Sequence, residues 1–266
     1  MSLVGGSVFA ELLRSLAPYL GEVVLVGGWV QALYVLETDG GRARVIRTSD
    51  IDLTLAATLH QGERPPLLDL LREGGFEVQA FDDQTGYEVS KDSVEVDLLT
   101  EGSVPGSPVK IDGQPDLRVF GYPHQALLRT NTRPMLAGRE IHDSLTEPVE
   151  VLVPTLPAYV IGKLLSSAQR KQTGKQAKDL AYVSELLARD RLTSQIIKGL
   201  PEMVAAHAEE GQKARGYLES ALSNGRLIAD VAAQVIESSG YGIEDDSTVR
   251  AEIVARLRRL LEEGWR

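Results

Sequence analysis

Apolar positions recur at helical spacing over residues 8–20, where Phe9, Leu12, Leu13, Leu16 and Leu20 fall on one side, predicting a helix with Pro18 near its end. The run Val23-Val24-Leu25-Val26 predicts a short buried strand, ended by the pair Gly27-Gly28. Residues 29–36, with Val30, Leu33 and Val35, predict a second helix, closed by a turn at Thr38-Asp39-Gly40-Gly41. The segment 42–47 leads, as strand or extended chain, into a strand over 50–55. Side chains alternate across a strand, so Ile51, Leu53 and Leu55 enter the core while Asp50 and Asp52 share the other face. A helix over 65–74, a strand over 76–81, and two strands over 87–90 and 94–99 joined by Lys91-Asp92-Ser93 follow. In the last of these, Val94, Val96 and Leu98 lie on one face, Glu95 and Asp97 on the other. Residues 102–115, broken by Gly and Pro, read as loop, and 149–153 as an edge strand. Beyond Pro157 the pattern becomes that of amphipathic helices, over 158–172, 177–189, 194–208 and 249–261. The expected fold class is α/β, a mixed sheet flanked by helices over residues 1–155, followed by a helical domain over 156–266.

Composition narrows the classes of function. The chain of 266 residues has the apolar and charged fractions of a soluble globular protein and no cysteine, which removes disulfides, thiolate metal sites and a cysteine nucleophile and fits a reducing cytoplasm. Apolar runs are too short to span a membrane, and the N-terminal pattern, interrupted by Glu11 and Arg14, suits an amphipathic helix rather than a signal peptide. A net charge of −10 argues against broad coating of nucleic acid. The charge is uneven, however: between Arg118 and Lys178 nine lysines and arginines stand against four acids, a window able to hold a polyphosphate.

The candidate chemistry gathers at two places. Asp50 and Asp52 stand side by side on a strand, and a divalent cation between them is the readiest way to keep both ionised. Gly27-Gly28, at the start of a helix, lets backbone amides approach a phosphate, and Asp97 brings a third carboxylate on a later strand. Three carboxylates suit two divalent metals, one on nucleotide phosphates and one beside an acceptor hydroxyl, the arrangement of phosphoryl or nucleotidyl transfer. Asp-x-Asp or Gly-Gly alone is common in turns and on surfaces; their order on strand, turn, helix and strand is more selective. Further on, Lys163 and Arg170 sit seven residues apart and so share a helical face, and Lys163 is the only charge in a small, apolar stretch. Lys171 and Lys175 read as solvated. No Gly-x-Ser-x-Gly elbow supports a triad around His142, Asp143 and Ser144, and Thr173-Gly174-Lys175 lacks the upstream glycine of a P-loop.

Gly27-Gly28, Arg47-Thr48-x-Asp50-x-Asp52 and Asp97 together resemble the DNA polymerase beta-like nucleotidyltransferases. Within them the pattern is most similar to the AbiEii-type branch, which includes toxins and carries a helical Lys, an Arg one or two turns on and a Lys-Asp pair, matched by Lys163, Arg170 and Lys178-Asp179. The resemblance implies a nucleotidyltransferase-type sheet, two Mg2+ ions on Asp50, Asp52 and Asp97, and transfer of a nucleoside monophosphate from an NTP to an acceptor hydroxyl with release of pyrophosphate. Asp97 would orient or serve as the general base. Gly27, Gly28, Arg47, Thr48, Lys163, Arg170, Lys178 and Asp179 would hold the nucleotide, in a cleft between the two domains. Asp179 could meet a phosphate-bound metal, cap the next helix or, first in rank, position Lys178 or Arg170. The acceptor implied is a tRNA 3′ end, a protein side chain or a small molecule such as an aminoglycoside, with an antitoxin as partner; the alternative is a non-catalytic nucleotide-binding or toxin–antitoxin module. The chain departs from the superfamily in having Gly-Gly-Trp29 where Gly-Ser is commoner, and in a longer gap before Asp50, where 37–44 look like an inserted hairpin.

Overall fold

The computed structural model describes residues 3, 5–39, 45–46, 48, 50–81, 85–239 and 246–266. The chain divides into two compact units, Met1–Leu33 with Arg47–Pro154, and Tyr34–Ile46 with Thr155–Arg266. No helix among the described residues is long and apolar enough to cross a membrane.

Among the described residues, nine strands of the first unit form one mixed sheet: β1 (Val24–Val26), β2 (Asp50–Thr54), β3 (Glu77–Ala80), β4 (Tyr87–Lys91), β5 (Val94–Glu101), β6 (Ser107–Lys110), β7 (Arg118–Tyr122), β8 (Thr132–Ala137) and β9 (Val149–Pro154). The spatial order is β3-β4-β5-β2-β1-β9-β8, with β7 also beside β5 and β6 beside β7. Strand β2 runs antiparallel to β1 and parallel to β5, so the Asp-x-Asp segment lies in the middle of the sheet. The helices of this unit are α1 (Gly6–Ser15), the first part of α2 (Gly28–Asp39), which from Tyr34 on belongs to the second unit, α3 (Leu67–Glu73) and α4 (Gln125–Thr130). Helix α1 buries Val8, Phe9, Leu12 and Leu13, and Phe9 stacks on Trp29 at the start of α2, with ring centroids 4.3 Å apart and planes within 7°. Tryptophan after the glycine pair is thus an anchor for the helix start. The β4–β5 hairpin turns through Asp92 and Ser93, both at positive φ (49° and 65°), the two-residue geometry whose twist matches the strands.

The expected elements are present, with β7, α4 and β8 in addition and with four corrections, the first being that the helix expected over 8–20 stops at Ser15 and a separate 3-10 turn follows at Ala17–Tyr19. Within 102–115, expected as loop, Ser107–Lys110 forms β6; among the described residues it pairs only with β7, and on such an edge Pro108 withholds no ladder bond from a further described strand. Strand β9, expected at an edge, lies between β1 and β8. The expected hairpin over 37–44 begins inside α2, which runs to Asp39; residues 40–44 lie outside the described residues.

The second unit is helical: α5 (Leu156–Gln169), α6 (Thr173–Leu187), α7 (Asp190–Ala206), α8 (Ala208–Leu222), α9 (Gly225–Ser239) and α10 (Asp246–Gly264). Helices α8 and α9 come in addition to the four expected. Leucine, isoleucine and valine at helical spacing, among them Leu164, Leu180, Val183, Ile196, Leu218, Val231 and Leu257, are fully buried and form its core.

Candidate active site

The site begins where β1 ends. All three residues of β1 are buried, and Gly27 then takes a left-handed conformation, φ 70°, which glycine adopts without the penalty of a Cβ. Because Val26 pairs with Asp52 across the β1–β2 ladder, this turn passes directly against the Asp52 side chain. A Cβ on Gly27 would lie 2.6 Å from Asp52 Cγ and nearer still to Oδ2. Only glycine leaves the carboxylate its place.

On the other side of β2, the parallel register sets Asp52 beside Asp97 and Asp50 beside Glu95. In-register neighbours project from the same face, so Asp50, Asp52 and Asp97 form one group of half-buried carboxylates. The opposite face carries Ile51, Leu53, Val96 and Leu98, each at most 5% exposed. Glu95, exposed, is a fourth carboxylate on this face, which the sequence reading placed beside Asp97 without assigning it to the site; its spacing two residues before Asp97 is the signal for it. The Thr48 hydroxyl donates to the Asp50 carbonyl at 3.2 Å, closing the approach to β2. Arg47 lies outside the described residues.

Among the described residues, no three histidine, aspartate or glutamate side chains close around a single point as a metal cage. The donor set nevertheless fits a hard divalent cation: oxygen ligands only, half-buried, with a glycine turn making room at Asp52. Magnesium characteristically takes one or two carboxylates and completes its octahedron with water and substrate phosphates, so an all-protein cage is not required.

The second cluster lies within the helical unit. Lys163, on α5, is 9% exposed and Asp179, on α6, 3%. Lys163 Nζ donates to Asp179 Oδ1 at 2.8 Å, Arg170 Nε to Oδ2 at 3.0 Å, and Ser166 Oγ to the same Oδ2 at 3.3 Å. Lys163 also lies over the ring of Tyr182, 4.9 Å from its centroid, and 5.8 Å from that of Tyr159. Burial by itself would raise the Asp179 carboxyl; the Lys163 ammonium and Arg170 guanidinium outweigh it and hold the group below its ordinary value. Lys163 and Arg170 therefore converge on one carboxylate, and two cations against one anion leave the cluster with a single positive charge. This corrects the expectation of a shared helical face: α5 ends at Gln169, and Arg170 has extended backbone (φ −74°, ψ 133°), reaching Asp179 from beyond the helix. Lys178 is half-buried on α6 next to Asp179. The four histidines supply no metal cluster among the described residues; His142 Nδ1 meets Ser144 Oγ at 2.8 Å, and that oxygen also accepts from Arg14 at 2.5 Å, tying α1 to the 142–144 turn.

A family model described as nucleotidyltransferase matches residues 7–195, well over half of the chain, and spans both the carboxylate face and the Lys163–Asp179–Arg170 cluster. No curated protein matches the chain significantly. With the strand-turn-helix-strand order and the mixed sheet in agreement, the chain belongs to the nucleotidyltransferase family and is a transferase enzyme that uses an NTP.

Proposed function

We propose that the protein transfers a nucleoside monophosphate from an NTP to an acceptor hydroxyl, releasing pyrophosphate, with Asp50, Asp52 and Asp97 holding Mg2+. The observation that carries this reading is the register of β2 on β5, Asp52 beside Asp97, directly against the Gly27 turn. The cation would neutralise phosphate charge and favour ionisation of the acceptor hydroxyl. The Gly27-Gly28 turn at the start of α2 offers backbone amides and the positive end of a helix to the phosphates. Asp97 orients the acceptor hydroxyl and takes its proton as the oxygen attacks the α-phosphorus. The bond to the β-phosphate then breaks, and pyrophosphate leaves with the electron pair. Lys163, Arg170 and Lys178 steady the triphosphate, and Asp179 fixes the first two of these in place. Residues 1–155 act as the catalytic domain and 156–266 as the substrate-binding domain.

The Lys163, Arg170, Lys178-Asp179 pattern supports assignment to the AbiEii-type branch, with a toxin role and an antitoxin partner. Incubation with Mg2+ and each labelled NTP, together with tRNA, an aminoglycoside panel or the protein alone, tests the reaction and identifies the acceptor. Label transfer and pyrophosphate release are expected with one acceptor, and Asp52→Asn or Asp97→Asn should reduce them by about 100-fold or more, each step of 1.36 kcal/mol in the barrier being tenfold, with melting unchanged. No NTP binding by the wild type, or full activity in both variants, overturns the reading. Nucleotide binding without turnover favours the non-catalytic module.

A further inference from the structure

Helix α8 lies beyond the matched segment, which ends at residue 195, yet one of its side chains is bonded into the turn that carries Arg170. Tyr217 Oη lies 2.5 Å from Ser167 Oγ, and Ser167, in the last turn of α5, is fully buried. A hydroxyl has one proton to donate. Ser167 gives its proton to the Gln176 carbonyl at 3.1 Å, so Tyr217 is the donor in the pair. Gln176 Nε2 in turn donates to the Arg170 carbonyl at 2.7 Å, and the Arg170 N–H returns to the Ser167 carbonyl at 3.2 Å. Burial raises the phenol's pKa and the negative charge of Asp179 adds to it, so the net shift is upward. Tyr217 therefore stays protonated, and a donor, throughout the neutral range.

The backbone on which Arg170 sits is thus closed by three bonds, and the hydroxyl at their head is anchored from α8. Resting on the reading that Arg170 steadies the triphosphate, we propose that Tyr217 is a positioning residue for nucleotidyl transfer: through Ser167 and Gln176 it holds the 170–172 turn so that the Arg170 guanidinium is aligned on Asp179 before the NTP arrives. A helix outside the matched segment then belongs to the substrate machinery, and removing one oxygen from it should be felt as lost nucleotide affinity.

Tyr217→Phe removes that oxygen and keeps the ring. The expected result is a rise of about 5- to 10-fold in the NTP KM, the scale of one lost hydrogen bond, with kcat within about twofold. Affinity for a non-hydrolysable NTP analogue with Mg2+ should fall by the same factor. Introduced into Arg170→Ala, the Tyr217→Phe change should add nothing further to KM, because both act along one path; Ser167→Ala should behave as Tyr217→Phe does. An unchanged KM in Tyr217→Phe, or effects that multiply with Arg170→Ala, overturns the proposal, and a fall in melting temperature with KM unmoved assigns the hydroxyl to stability alone. If the wild type transfers label and Asp52→Asn does not, such a result sinks only the positioning role; if the wild type neither binds nor transfers a nucleotide, the underlying reading fails with it.

Discussion

Replacing Asp179 by Asn tests the charge cluster of the helical unit most directly. The side chains of Asp179 and Lys163 are 4% and 11% exposed, whereas that of Arg170 is 39% exposed. Removing one partner of a buried ion pair strands the other charge, at a cost of about 3–5 kcal/mol. Asn keeps an acceptor for Lys163, and the solvent-screened Arg170 bond contributes under about 1 kcal/mol, so the lower end, about 3 kcal/mol, is expected. At roughly 2–4 °C per kcal/mol for a chain of this size, melting at pH 7 should fall by about 6–12 °C. The sign with pH follows from the lowered carboxyl. Its stabilisation is complete above the unfolded value of about 3.9 and is lost as pH falls through the depressed folded one. Urea titrations from pH 7 to pH 3 should therefore show a constant gap between wild type and Asp179→Asn down to about pH 5, narrowing below about pH 4. Lys163→Met combined with Asp179→Leu should recover much of the loss, since paired removal leaves no stranded charge. A gap under about 1 kcal/mol at pH 7, or one already closing at pH 6, would refute the reasoning.

Two glycines offer further tests. Gly27→Ala places a Cβ at positive φ and against the Asp52 carboxylate; about 1–2 kcal/mol of stability should be lost, and label transfer should fall at least tenfold as Asp52 is displaced, so a variant that melts and transfers like the wild type contradicts the geometry. Gly102→Ala sets a Cβ 2.7 Å from Gly121 Cα, a backbone atom that no rotamer change can move aside; β5 and β7 must part, lowering stability by about 1–3 kcal/mol, read from the urea midpoint.

Much of this was legible in the residues because period-2 burial names its own faces. Asp50, Asp52 and Asp97 could be set opposite Ile51, Leu53, Val96 and Leu98 without coordinates. That β2 and β5 are neighbours was not local information, since more than 40 residues separate Asp52 from Asp97. The same limit explains β9: Val151 and Val153 report a buried face, but a strand with one neighbour and a strand with two can show the same alternation. Strand β6 was hidden by the Gly and Pro around it, and β8 is an edge strand with Pro134 in its interior. Arg170 was misplaced because a seven-residue interval implies a shared face only while the helix continues, and α5 stops one residue earlier.

The pairing of β2 with β5 also determines which changes of chain length the enzyme can absorb. A single residue inserted between Val94 and Asp97 would turn Asp97 toward the core and bring an apolar side chain beside Asp52, because each step along a strand reverses the face. Two inserted residues restore the face but carry the carboxylate about 6.6 Å along the sheet, out of line with its neighbour. Lengthening is tolerated best in exposed connections such as 146–148 ahead of β9, where no ladder register has to be kept.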